Sequence, residues 1–211
     1  MARSLIRWVH QRLCQAYGRP DWEVRGEPLA ELVATVLSQH TSDVNCDRAF
    51  ASLRAAFDTW EAVRDAPQAE VLEAIKCGGL AAVKAPRIQA ILRALTYENG
   101  RVALPDQVER EFLLTLPGVG KKTASCVLLF GAHLPAIPVD THVHRVALRT
   151  GMVAAKTSPD QTCDILESSL SEDDYYAFHM NLIRHGREVC KAQRPRCDAC
   201  VLRTRCLYAH Q

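Results

Sequence analysis

Four cysteines fall close together near the end of the chain, Cys190, Cys197, Cys200 and Cys206, spaced C-x6-C-x2-C-x5-C. Thiolates so near in sequence can converge on one metal centre. Two disulfides or a structural zinc ion are the alternatives, but zinc usually arrives with two C-x2-C pairs across a longer loop. Here one C-x2-C is flanked by single cysteines, which favours a [4Fe–4S] cubane held by a short, turn-rich wrap. Lys191, Arg194, Pro195 and Arg196 lie between the cysteines, supplying turn residues and offsetting thiolate charge.

A second segment, FLLTLPGVGKKTASCVLLF from Phe112 to Phe130, interrupts two apolar helical stretches with Pro117-Gly118-Val119-Gly120. So short a gap predicts a tight hairpin between helices. Gly118 and Gly120 allow a sharp turn and expose amides at a new helix start, where the dipole also favours an anion such as a phosphate. Lys122 falls in the first turn of that helix, where the positive helix end and partial burial favour the neutral, nucleophilic amine. Lys121 beside it suits phosphate. Further on, IPVDTHVHRVALRTG places Asp140 ahead of His142, His144, Arg145 and Arg149. Asp140 reads both as a helix N-cap and as a carboxylate able to assist Lys122. The two histidines, two residues apart, point to different helix faces and suit packing or phosphate contacts.

The elements that must position these groups read as helices almost throughout, and no alternating stretch demands a strand. An all-α protein is expected. Ser4 to Tyr17 forms a first amphipathic helix ending before Gly18, Pro28 to Leu37 a second, and Ser42 or Asp43 caps a third. Asp58-Thr59 and Pro67 open two more. Gly78-Gly79 closes another helix, and KAPRIQAILRALTYENG is a helix with Pro86 in its first turn.

With 211 residues and 48% hydrophobic content the chain can form one large domain or two small ones. No apolar run approaches a membrane span and nothing resembles a secretory signal, so a soluble intracellular protein is expected. Nine cysteines would be hazardous in an oxidising compartment. Cys14, Cys46, Cys77, Cys126 and Cys163 are expected to be plain core residues. The overall charge of +2 is uninformative, but seven basic residues against two acidic ones from Asn181 to Gln211 suit a polyanion.

Together these motifs resemble endonuclease III, in the helix-hairpin-helix superfamily of DNA glycosylases. The similarity lies in LSQHTSDVN (37–45), GGLAAVKA (78–85), LPGVGKKTA (116–124), VDTHVHRV (139–146) and HGREVCKAQRPRCDACVLRTRC (185–206). It implies a six-helix bundle domain over 22–132 containing the hairpin (112–130). A [4Fe–4S] domain would be built from 1–21 and 133–211, with DNA bound in the cleft between the two. By this resemblance the chain is a bifunctional glycosylase and abasic-site lyase for oxidised pyrimidines in duplex DNA, with Lys122 as nucleophile and Asp140 assisting, and it acts as a cytoplasmic monomer, nucleoid-associated in a prokaryote. Gln39, His40 and Leu80 would fill the space left by a flipped nucleotide, and Thr41, Lys84, Gly118, Val119, Gly120, Lys121, Thr123, His142, Lys191, Arg194 and Arg196 would contact DNA. His40 stands where the family usually has Gln, and Ala81-Ala82 lacks polar and aromatic residues common in that loop. An adenine-glycosylase reading needs a glutamate in the early helix where this chain has Thr35. A non-catalytic damage-binding protein and an iron–sulfur electron carrier are the other classes to weigh.

Overall fold

The computed structural model describes residues 2–210, and they fold into helices without a single strand. The α-helices are α1 (Ala2–Tyr17), α2 (Pro28–Ser38), α3 (Asp43–Ala56), α4 (Trp60–Asp65), α5 (Gln68–Ala74), α6 (Ala81–Ala94), α7 (Arg110–Thr115), α8 (Lys121–Cys126), α9 (Thr141–Thr150), α10 (Pro159–Glu167) and α11 (Tyr175–Glu188). Short 3-10 turns link several of them. Ser42 caps α3 by accepting from the Asn45 amide, and Thr59 caps α4 by accepting from the Ala62 amide, each satisfying an N–H that the helix leaves unpaired. One expectation shifts: α6 begins at Ala81, so Pro86 lies inside the helix beyond its first turn. Proline there leaves the Ala82 carbonyl without its helical donor, which the exposure of Ala82 makes tolerable.

The chain divides into two compact units, one of residues 1–23 and 134–211, the other of residues 24–133. In the discontinuous unit, α1 packs along α11, and α11 along α9. Ile6, Val9 and Leu13 bring the buried stripe of α1 onto Ile137, Val143, Val146, Phe178, Leu182 and Leu202. Apolar residues three and four apart on one helix face are what allow this packing.

In the continuous unit α2 is nearly all apolar, and Leu29, Leu32, Val33, Val36 and Leu37 are buried in it. It packs against α3, α6, α8 and the π-helical segment Val127–Gly131 that continues α8. Gly131 permits that contact, because a Cβ there would lie 2.7 Å from the Pro28 Cα. Of the five cysteines expected in the core, Cys46, Cys126 and Cys163 are buried. Cys14 is half-buried beside His10, and Cys77 is exposed, contrary to expectation. Cys77 lies in the short 3-10 turn after α5, where side chains face outward.

Candidate active site and metal centre

The hairpin between α7 and α8 is closed by the Val119 amide donating to the Leu116 carbonyl at 3.1 Å. Gly118 takes φ +70°, a left-handed turn that a side chain would strain. Its Cα is also covered by Arg87, whose Nε would lie 2.6 Å from an added Cβ. The first backbone bond of α8 runs from the Ala124 amide to the Gly120 carbonyl. The preceding amides therefore stand at the positive end of the helix, outside its own bonding pattern. Gly118 and Gly120 are exposed, whereas the side chains of Val119 and Thr123 are buried and anchor the hairpin in the core. Those two side chains are not available to DNA, so any contact that these residues make with it would be through their backbone.

Lys122 and Lys121 are both half-buried in the first turn of α8. Glu31 reaches the surroundings of Lys122 from α2, and its carboxyl is pushed up by burial, an effect opposed by Arg25, the Thr35 hydroxyl and Lys122. Thr35 Oγ1 donates to Glu31 Oε1 at 3.3 Å. One turn along α8 from Lys122, the buried Cys126 thiol is also raised by burial, an effect opposed chiefly by the charge of Lys122. The lysine therefore has a carboxylate and a thiol as electrostatic neighbours. Nothing in the spacing of the sequence pointed to Glu31, because its nearness to Lys122 exists only once α2 lies on α8.

Asp140 belongs to the other unit. It caps α9, its Oδ1 accepting from the Val143 amide at 2.7 Å, and it is partly exposed. His142 Nδ1 meets Arg145 Nη2, while His144 Nε2 faces the Thr157 carbonyl on the other side, so the two histidines serve separate contacts.

Around the loop after α2, His40 is exposed with φ +53°, Gln39 and Thr41 are half-buried, and Gln39 Oε1 accepts from Arg87 Nη1 at 2.7 Å. Leu80 precedes α6 with φ +52° and is 54% exposed. Lys84 is the clearest departure from expectation. It is 2% exposed, and its Nζ donates to the Leu37 carbonyl at 2.7 Å and to the Gly78 carbonyl at 2.8 Å. Burial pushes its ammonium below the ordinary lysine range. It serves the interior of the protein and offers no surface to DNA. Arg87 escaped the sequence reading altogether.

Cys190, Cys197, Cys200 and Cys206 line one cavity, together with Arg149, Val189, Pro195, Arg196, Tyr208 and Ala209. Among the described residues no three His, Cys, Asp or Glu side chains are gathered tightly enough for a single ion. Four cysteine sulfurs lining one cavity are the donor set that an iron–sulfur cluster would use. Two of them have nitrogen neighbours. Burial holds His185 down at about 4, leaving the ring neutral; its Nδ1 lies 2.8 Å from the Tyr17 hydroxyl and its Nε2 3.4 Å from Cys200 Sγ. Arg149 Nη1 lies 3.6 Å from Cys190 Sγ, while its guanidinium is held by the carbonyls of Lys191 and Ala192. Such donors stabilise thiolates and orient metal ligands. Lys191, Arg194 and Arg196 are exposed on the same loop.

The sequence profile of the HhH-GPD superfamily base excision DNA repair proteins matches residues 33–172. The chain is 40% identical to endonuclease III of Thermotoga maritima across 98% of its own length and 92% of that protein. It is 32% identical to endonuclease III of Sulfolobus acidocaldarius across 85% and 81% of the two chains. Among solved structures, a trapped endonuclease III–DNA covalent intermediate superposes with a TM-score of 0.87 at 30% identity, covering 99% of this chain and 97% of that one.

Proposed function

The chain belongs to the HhH-GPD superfamily of base excision DNA repair proteins, and from that premise we propose that Lys122 and Asp140 carry out its chemistry. The protein is a bifunctional DNA glycosylase and abasic-site lyase of the endonuclease III kind, and its substrates are oxidised pyrimidines and abasic sites in duplex DNA. The damaged nucleotide leaves the stack, a step that weakened stacking at a lesion makes easier. The Lys122 amine attacks C1′ and the C1′–N bond to the base breaks. The base departs with a proton, and loss of a further proton from nitrogen with ring opening gives an imine between Lys122 and the sugar. Removal of a C2′ proton then expels the 3′ phosphate, and water hydrolyses the imine to free the lysine. Asp140 supplies the negative charge that favours the cationic sugar and imine.

Exposed Gly118 and Gly120 admit a phosphate to the amides at the start of α8, and Lys121 adds its charge. His40 and Leu80 enter the duplex where the flipped nucleotide was, Leu80 as an apolar wedge. Cys190, Cys197, Cys200 and Cys206 hold a [4Fe–4S] cluster. When bound, it cross-links the loop that presents Lys191, Arg194 and Arg196 to the DNA backbone.

The observation that carries this reading is a half-buried lysine at the start of the second hairpin helix, in a chain that superposes over nearly its full length on an endonuclease III trapped covalently on DNA. Borohydride reduction on a duplex with an abasic site or thymine glycol tests it. The wild type is expected to give a covalent protein–DNA band and Lys122→Gln none; a band that survives the substitution would remove Lys122 from the role.

A further inference from the structure

Four described non-glycine residues have left-handed backbone, and two of them, His40 and Leu80, stand exposed at the tips of separate loops in one unit. That conformation strains an L-residue and persists only where the surroundings impose it. Both loops are tied to one residue. The buried Lys84 ammonium bonds the Leu37 carbonyl, three residues before His40, and the Gly78 carbonyl, two residues before Leu80. Both carbonyls lie at helix ends, where no intrahelical donor is left for them and the dipole favours a cation. The Lys84 backbone amide also takes the Leu80 carbonyl at 3.0 Å, so Leu80 is held on both sides by one residue. One turn further along α6, Arg87 bonds the side chain of Gln39, next to His40, and lies over the Cα of Gly118 in the hairpin. Leu80 and Val83, a turn apart, are left 54% and 51% exposed, an apolar edge with no partner in the fold itself.

We propose that Lys84 is a positioning residue that fixes the His40 and Leu80 loops in one register, with Arg87 extending the same register to the hairpin, so that both tips enter the duplex together when a nucleotide is flipped. This rests on the function proposed above. A lysine whose ammonium never meets DNA then controls the flipping step through the two loops it joins. The bland alternative is a helix-end cap that matters for folding alone, and the two make different predictions for strands that need no flipping.

The test uses the full, cluster-loaded chain as wild type, Lys84→Met and Arg87→Met. Each is mixed with an abasic site either in a duplex opposite 2-aminopurine or in the same strand unpaired. Two quantities are followed, the rate of borohydride trapping and the fluorescence change of the orphaned 2-aminopurine. Lys84→Met is expected to slow trapping on the duplex roughly 10- to 100-fold and suppress the fluorescence change, while trapping on the single strand stays within about twofold of wild type. Arg87→Met, which keeps both backbone carbonyls bonded, is expected to show the same split with smaller size, and it decides the matter if Lys84→Met does not fold. Equal losses on both strands, or no loss on the duplex, would overturn the proposal. A wild type that traps neither strand would overturn the catalytic reading, and the clamp's part in it, at a separate and recognisable point.

Discussion

Asp140 caps α9 and, in the function proposed above, also supplies charge to the reacting sugar, and the two roles can be separated chemically. Its Oδ1 caps α9, and asparagine caps nearly as well as aspartate while carrying no charge. Asp140→Asn should therefore keep the melting temperature yet slow trapping by roughly 10²- to 10⁴-fold, whereas Asp140→Ala should slow it similarly and also lose about 1 kcal/mol of stability. Equal trapping by wild type and Asp140→Asn would confine Asp140 to its cap. Glu31 gives a pH test with the opposite character. Its carboxyl is raised by burial, so the folded state holds its proton more tightly than the unfolded chain and the charged form costs stability at neutral pH. Glu31→Gln keeps an acceptor for Thr35 and should raise the melting temperature at pH 7. The gain should shrink as pH falls from neutral into the ordinary carboxylate range, which thermal melts of both proteins across that range would show. At this scale the sequence conveyed type and spacing but not depth. Lys122 and the four cysteines were legible because motifs surround them. Lys84 read as one more basic residue, since only the folded chain shows its ammonium enclosed by two carbonyls.

At the scale of elements, several helix starts were written locally: Ser42, Thr59 and Asp140 each cap the helix expected after them, because a short polar side chain ahead of an apolar run satisfies a free amide. The start of α6 was not, since Leu80 offers no side-chain cap and stands in left-handed backbone. The hairpin shows how two glycines in one motif differ. Gly118 has positive φ and Arg87 pressed on its Cα, while Gly120 is extended and nothing lies within 4 Å of an added Cβ. Gly118→Ala should destabilise by about 1–2 kcal/mol from backbone strain alone and dislodge Arg87 from Gln39. Gly120→Ala should leave denaturant unfolding within about 0.5 kcal/mol of wild type, the range of an uncomplicated surface change, yet weaken duplex binding because the methyl occupies the path of a phosphate. If Gly120→Ala binds as wild type does, the phosphate lies elsewhere on the hairpin.

Across the whole molecule, the two units are built differently from one chain. Residues 24–133 are contiguous, but the cysteine-bearing unit needs α1 from the other end of the sequence, whose Ile6, Val9 and Leu13 complete its core. Helical periodicity shows that α1 has an apolar stripe but cannot say which distant helix covers it, so this pairing was legible only through family resemblance. Charge follows the same division: the basic excess lies in the segment that closes the cysteine-bearing unit, and Lys191 and Arg194 are exposed there. A phosphate-neutralising side chain releases counterions, so binding falls with salt in proportion to the number of such contacts. Lys191→Gln combined with Arg194→Gln should flatten the slope of log affinity against log salt by roughly 1.8, about 0.9 per lost contact, and weaken damaged and undamaged duplexes alike. Equal weakening follows because phosphate contacts fix register without reading the lesion, a task that the function proposed above gives to the loops around His40 and Leu80. An unchanged slope would mean that these charges serve the thiolates beside them, and that the hairpin unit alone sets the electrostatic hold on DNA.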